Sequence, residues 1–206
     1  MAKIYLIRHA ESVANTQGRY QGQTYDTHLS VLGKKQVLAL QKRLVKIKFD
    51  AIFSSPLLRT IETAEVLGNP TLIKEILETN HGQWEGKTKD KIVKTWPDMY
   101  AMWLNKPSKV IFPEGEKFAQ TAARAINWIT KLQNKKGTFA VITHSNIIFT
   151  ILCHHLGKNL DEMWQFDVQP TCVSLLETNS GKLEVKYYND SSHLNGLASN
   201  LAIQAI

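Results

Sequence analysis

The chain has 206 residues, 43% of them hydrophobic and 21% charged, with six Pro and eleven Gly, a composition that excludes disordered and fibrous classes and fits one soluble globular domain. A net charge of +7 favours an anionic ligand, yet the cations are scattered, with doublets such as Lys34-Lys35 and Lys135-Lys136 but no run of five or six, so nucleic acid is not an expected partner. Cys153 and Cys172 lack the spacing of a zinc site and read as buried thiols; no signal sequence or apolar stretch of about eighteen residues is present, so the expected place of action is the cytoplasm, with no membrane partner.

The first element is an apolar run, Ile4 to Ile7, that stops abruptly at Arg8-His9. Apolar residues at successive positions predict a strand buried on both faces, and ligands of open α/β folds gather at the C-terminal ends of such strands. Glu11 to His28 is polar, carries Gly18 and Gly22, and reads as a long functional loop with one helical turn at most. Ser30 caps a helix whose apolar face is Leu32, Val37, Leu40, Leu44 and Ile47. A short strand at Ala51 to Phe53 leads into SSPLLRTIETAEVLG, where Ser55 and Pro56 open a helix, Gly68 closes it, and Arg59 falls in the first turn or so. Thr71 to Lys74 predicts another strand, followed by the polar stretch ILETNHGQWEG, a second functional loop with Trp84 packed beneath it.

From Lys87 to Pro113 the pattern weakens, although Trp96, Met99, Tyr100 and Trp103 fit one face of a short helix and read as core. Glu114 to Asn134 predicts a helix with Phe118, Ala122, Ala125, Ile129 and Leu132 along one side. A second apolar strand, Phe139 to Ile142, then ends at His144-Ser145-Asn146, as the first ended on histidine. TCVSLLET and KLEVKYYN flank Asn179-Ser180-Gly181 and predict a hairpin at the sheet edge. Alternating strands and helices make this an α/β three-layer sandwich, a mostly parallel central sheet with an antiparallel edge strand and helices on both faces.

That topology brings Arg8, His9 and His144 to one sheet edge, within reach of Arg59 and the loop around Glu78. Planar Arg side chains bind phosphoryl oxygens with paired charge-assisted hydrogen bonds, so two Arg and a protonated His make a phosphate cradle. The other imidazole can attack phosphorus if its second nitrogen is held by a hydrogen bond, while a carboxylic acid protonates the departing oxygen and then, ionised, draws a proton from water. No metal or other cofactor is required. Taken singly, Arg59, Glu78 and His144 could each be an ordinary solvent-facing or satisfied polar residue; it is their convergence that argues for a site. No GxxxxGK[ST] or GxGxxG occurs, so a nucleotide-binding reading fails.

RHAESVANTQGRYQG, with Ala10 in place of the more usual Gly, resembles the RHG-type signature of the histidine phosphatase superfamily, the phosphoglycerate mutase-like fold. The resemblance continues through SSPLLRTIETA, ETNHGQWEG, PEGE and VITHSN, ending at Tyr188-Asn189 and His193-Leu194. It implies that His9 is the phosphorylated nucleophile, Glu78 the acid, Arg8 and Arg59 phosphate ligands and His144 the second phosphate-binding histidine. Asn15, Gln21, Gly22 and Ser145 fall at substrate-facing positions. Ser145 and Asn146 stand where relatives often have glycines, and Asn80 and His81 also depart from the commoner pattern; His81 is otherwise read, with His28, His154, His155 and His193, as an ordinary histidine. Mutases of the family carry a longer insertion between acid and second histidine, so the interval from Glu78 to His144 resembles the short-chain phosphatase branch. A small cap is expected at about 87–113 within a single domain spanning 1–206, with Trp96, Tyr100, Trp103 and Lys106 forming a partly apolar lid. The expectation is therefore a metal-independent phosphomonoesterase for a small anionic ester. A cofactor-dependent phosphoglycerate mutase and a catalytically silent phosphate-binding module are the alternatives, and whether the chain acts alone or as a homodimer stays open.

Overall fold

The computed structural model describes residues 1–205. β1 (Ala2–Arg8), β2 (Ala51–Ser54), β3 (Thr71–Leu72), β4 (Gly137–Thr143), β5 (Val173–Asn179) and β6 (Lys182–Asp190) form one six-stranded sheet in the order β3-β2-β4-β1-β5-β6. β1 to β4 run parallel, and the β5–β6 hairpin supplies the antiparallel pairing at one end. Its two-residue turn is made by Ser180 and Gly181, both at positive φ (47° and 79°), the backbone geometry that matches the twist of antiparallel strands.

The helices are α1 (Val13–Thr16), α2 (Val31–Leu44), α3 (Leu58–Ala64), α4 (Lys89–Thr95), α5 (Pro97–Asn105), α6 (Phe118–Gln133) and α7 (Ser145–His155). Alternation along the central strands sorts the core into two layers. Ile4, Leu6, Phe139 and Val141 pack with Ala125, Trp128 and Ile129 of α6 and Ile147, Ile148 and Ile151 of α7, whereas Ile7, Ala140 and Ile142 pack with Leu40 and Leu44 of α2 and Ala64 of α3. A strand apolar on both sides is thus covered on both sides. Cys153 and Cys172 are free and buried, and burial pushes the Cys172 thiol up to about 12. No helix among the described residues is long and apolar enough to cross a membrane.

Three boundaries differ from the sequence reading. β3 pairs only at Thr71 and Leu72, because the chain turns at once into a 3-10 segment at Lys74–Ile76 that buries Ile76. α3 starts at Leu58 rather than at Ser55-Pro56: Ser55 still continues the sheet, its N–H donating to the Ile142 carbonyl at 3.0 Å. α6 starts at Phe118 because Glu114, at φ 57°, and Gly115 turn the chain back against Phe112. The aromatic residues of 96–103 are split by Pro97, which starts α5. Trp103 is fully buried against Phe112, Phe118 and Trp164.

Candidate active site

β1 and β4 are adjacent, parallel and level, with Arg8 opposite Thr143. The residues that follow, His9 and His144, therefore emerge side by side, with ring centroids 5.3 Å apart, and the His9 N–H donates to the Thr143 carbonyl at 2.9 Å. Both rings are buried. His9 Nδ1 lies 2.7 Å from its neighbour's carbonyl, Ala10 O. A carbonyl only accepts, so Nδ1 carries the proton and the Nε2 lone pair is left free. Burial, reinforced by the Arg59 and Arg8 cations, pushes the His9 pKa well below the ordinary value, so the ring is a neutral nucleophile.

Arg8 and Arg59 converge on the same cleft, which is lined by Arg8, His9, Asn15, Gln21, Arg59, Glu78, His81, Ser145, Asn146 and Ala205. Arg8 donates through Nη1 to Val168 O (2.6 Å) and through Nη2 to Gln204 Oε1 (2.8 Å); burial lowers its pKa to about 10, which leaves it charged at neutral pH. Arg59 donates to Asp26 Oδ1 (2.6 Å) and to Gly22 O (3.1 Å). Arg8 Nε, Arg59 Nε and His144 Nδ1 are buried without a partner among the described residues. Buried donors are rarely left unpaired, and phosphoryl oxygens are the acceptors that such a set suits.

Glu78 is buried at the cleft, its Oε1 accepting from the Thr79 N–H at 2.8 Å. Burial raises its pKa despite that bond and the nearby Arg59, Arg124 and Arg8, which favours the protonated form a general acid needs. Arg124 of α6 holds the loop in place by donating to the carbonyls of Glu75, Leu77 and Glu78 and to the Glu116 carboxylate.

The remaining residues expected at the site divide. Asn15 and Gln21 line the cleft and share Ser12, whose hydroxyl lies 2.9 Å from Asn15 Oδ1 and 3.0 Å from Gln21 Oε1. Ser145, at the start of α7, lines it as well. Gly22 does not; it contributes its carbonyl to Arg59, and a Cβ on it would sit 1.9 Å from Glu85 Oε1. His144 lies beside His9 without lining the cleft, its Nε2 2.8 Å from Ser55 Oγ. Burial and the surrounding cations lower its pKa well below the ordinary value, so it is neutral here, not the cation expected from the sequence. Trp96, Tyr100, Trp103 and Lys106 do not line the cleft; Trp103 and Tyr100 are core residues instead.

Sequence reasoning missed Asp26, whose carboxylate binds Arg59 and also caps α3 by accepting from the Leu58 N–H at 2.5 Å. His81, read as ordinary, lines the cleft. Glu85 forms a clamp that carries no local sequence signal. Its carboxylate accepts from the N–H groups of Gln23, Thr24, Tyr25 and His81 and from the Thr24 hydroxyl, joining the two loops that carry Gln21 and Glu78. Burial alone would raise its pKa, but the bonds from Thr24, Tyr25 and Gln23 hold it below the ordinary value. Glu85→Ala should therefore lower kcat/KM by about 10- to 100-fold through misplacement of those loops, with the circular dichroism of the fold unchanged. Wild-type kinetics in that variant would show that the clamp has no bearing on catalysis. Among the described residues, no three His, Cys, Asp or Glu side chains group so as to hold a metal ion.

A model of the histidine phosphatase superfamily (branch 1) matches residues 4–191. Phosphoserine phosphatase 1 of Hydrogenobacter thermophilus is 33% identical over 201 residues, 94% of this chain and 95% of its own length. The solved structure of Bacillus stearothermophilus YhfR superposes with a TM-score of 0.88 at 27% identity, covering 94% of this chain and all of that one. A mutant phosphoserine phosphatase of Entamoeba histolytica, solved in complex with phosphoserine, gives 0.84 at 26% identity, with coverage of 94% and 100%. With one family model spanning β1 to the end of β6 and relatives matched along almost their full length, the chain belongs to the histidine phosphatase superfamily, branch 1.

Proposed function

We propose that this metal-independent phosphatase hydrolyses phosphoserine, or an ester of closely similar size, through a phosphohistidine on His9. The observation that carries the reading is the His9 tautomer: Nδ1–H is committed to Ala10 O at 2.7 Å, so Nε2 is the nitrogen available to attack. Nε2 bonds to phosphorus as the P–O bond to the alcohol breaks, and Glu78 gives its proton to the departing oxygen. Glu78, now a carboxylate, takes a proton from water as the water oxygen attacks phosphorus; the N–P bond breaks, phosphate leaves, and His9 and Glu78 return to their starting states. Arg8, Arg59 and, once a dianion is bound, His144 hold the phosphoryl oxygens. The cap expected at 87–113 is proposed to be α4, α5 and the segment to Phe112; in its favour, Trp103 and Phe112 lie edge-on against His81. The choice of phosphoserine rests on the likeness to the phosphoserine phosphatases of H. thermophilus and E. histolytica.

The test is a panel of sugar phosphates, sugar bisphosphates, phosphoglycerates, nucleotides, cobalamin-precursor phosphates and phosphoserine. Phosphoserine should give the highest kcat/KM, with no loss on treatment with a chelator and with competitive inhibition by vanadate or inorganic phosphate. Given 3-phosphoglycerate and a bisphosphoglycerate primer, phosphate release should outpace isomerisation. Faster turnover of another ester class would reassign the substrate; activity lost to chelator and restored by a divalent ion would overturn the mechanism.

A further inference from the structure

The unpartnered groups at the cleft and beside it differ in kind. Arg8 Nε and Arg59 Nε are donors, and His144 Nδ1 can be one. Asn146 Oδ1, also buried and without a partner among the described residues, is an acceptor. Its orientation follows from a chain of hydrogen-bond assignments. His81 Nδ1 lies 2.8 Å from Gln21 O, and since a carbonyl only accepts, that nitrogen carries the proton. The His81 ring is enclosed by Tyr20, Trp103 and Phe112, with the Glu85 and Glu116 carboxylates and the Arg59 cation as its charged neighbours; burial, the largest influence, holds its pKa down to about 4. The ring is therefore neutral and Nε2 is an acceptor. Asn146 places its amide nitrogen 3.2 Å from that Nε2 and 3.4 Å from the Thr79 hydroxyl. The amide NH2 thus faces His81, and Oδ1 is turned away from it.

Asn146 is almost wholly buried and lines the cleft with His9 and Glu78. A buried carbonyl without a donor is costly, and a phosphate dianion has no proton to donate to it. Of the two parts of a bound ester, only the part that leaves can carry such a donor. We infer that Asn146 is a specificity-determining residue whose Oδ1 accepts a hydrogen bond from an ammonium group on the alcohol portion of the ester. This assignment rests on the phosphatase reading above and names what that site selects for. Asn146 lies in the first turn of α7, directly after Ser145, so the helix that follows β4 holds its side chain at the cleft.

Three esters on one carbon skeleton test it: phosphoserine, 3-phosphoglycerate, in which hydroxyl replaces ammonium, and 3-phosphooxypropanoate, in which hydrogen does. Wild-type kcat/KM should fall in that order, with phosphoserine about 10- to 100-fold above 3-phosphooxypropanoate, the worth of one hydrogen bond to a charged group. Asn146→Val should bring that ratio to within about threefold of unity, and Asn146→Asp, which keeps an acceptor, should retain it. The wild-type ratio decides the matter even if a variant does not fold. If nitrophenyl phosphate is hydrolysed but the wild-type ratio is near one, or if Asn146→Val folds and keeps the wild-type ratio, the assignment is overturned while the phosphatase reading stands. If no ester, nitrophenyl phosphate included, is hydrolysed, both are overturned.

Discussion

His9→Ala should reduce turnover of nitrophenyl phosphate by at least ~10³-fold, because it removes the atom to which the phosphoryl group transfers. His144 is the nearest imidazole, but its Nε2 is engaged by Ser55 Oγ at 2.8 Å and the residue does not line the cleft. The fold should persist: the backbone N–H of His9 still donates to Thr143 O, and the next residue is fixed by Ala10 N–H donating to Thr63 Oγ1 at 3.0 Å. Acid-labile phosphate, trapped on wild-type protein by rapid quench, should be absent from the variant. Retention of more than a tenth of wild-type activity would remove His9 from the nucleophile's role and leave a direct attack by water as the reading.

What could be read from the sequence was local and repeated; what could not was carried by contacts between distant segments. The apolar runs of β1 and β4 and their polar ends state the fold class and place His9 and His144 together, because parallel neighbours in level register must end together. Capping is an example of the other kind. Ser30 caps α2 as its position predicts, its hydroxyl accepting from the Gly33 N–H at 2.9 Å, whereas α3 takes its cap from Asp26, thirty-two residues from Leu58, so Ser55 and Pro56 gave a start that was too early. Arg8 is held by Val168 and Gln204, the latter 196 residues away. Arg124 looks like any exposed cation of an amphipathic helix, yet it binds three main-chain carbonyls of the acid loop, those of Glu75, Leu77 and Glu78, and carbonyls leave no mark on a sequence. His81 was underweighted for a related reason: a histidine's role depends on which groups face its two nitrogens, and those are Gln21 and Asn146.

These long-range contacts also explain why two carboxylates near the site can differ in protonation. Glu85 receives five hydrogen bonds and stays ionised as a clamp. Glu78 receives one, from Thr79, and is otherwise desolvated. Hydrogen bonds to the charged form hold a carboxyl pKa down, and burial without them lets it rise, so the same residue type becomes a strut in one place and a proton donor a few residues away.

Glu78→Gln should then act unequally on substrates of different leaving-group quality. A nitrophenolate departs without help, whereas the alkoxide of serine needs a proton, so the first chemical step should slow by about 10² to 10⁴-fold for phosphoserine and far less for nitrophenyl phosphate. The pH profile provides a second readout. Glu78 has a raised pKa and acts when protonated, so its contribution with phosphoserine is present at low pH and is lost as pH rises through that pKa; the ionisation of the substrate phosphate, near pH 6, is common to wild type and variant. The alkaline limb due to Glu78 should vanish in Glu78→Gln while the substrate limb remains. Since the carboxylate also activates water, dephosphorylation should slow as well, and nitrophenyl phosphate should give a burst of nitrophenol with phosphate accumulating on His9. Among the described residues no other carboxyl lines the cleft: Glu85 is bound in its loop clamp, and Glu11 is held by the hydroxyls of Ser30 and Ser199, each at 2.7 Å. Equal losses on both esters, with no phosphoenzyme, would therefore make Glu78 a structural residue and leave the departing oxygen to be protonated by water.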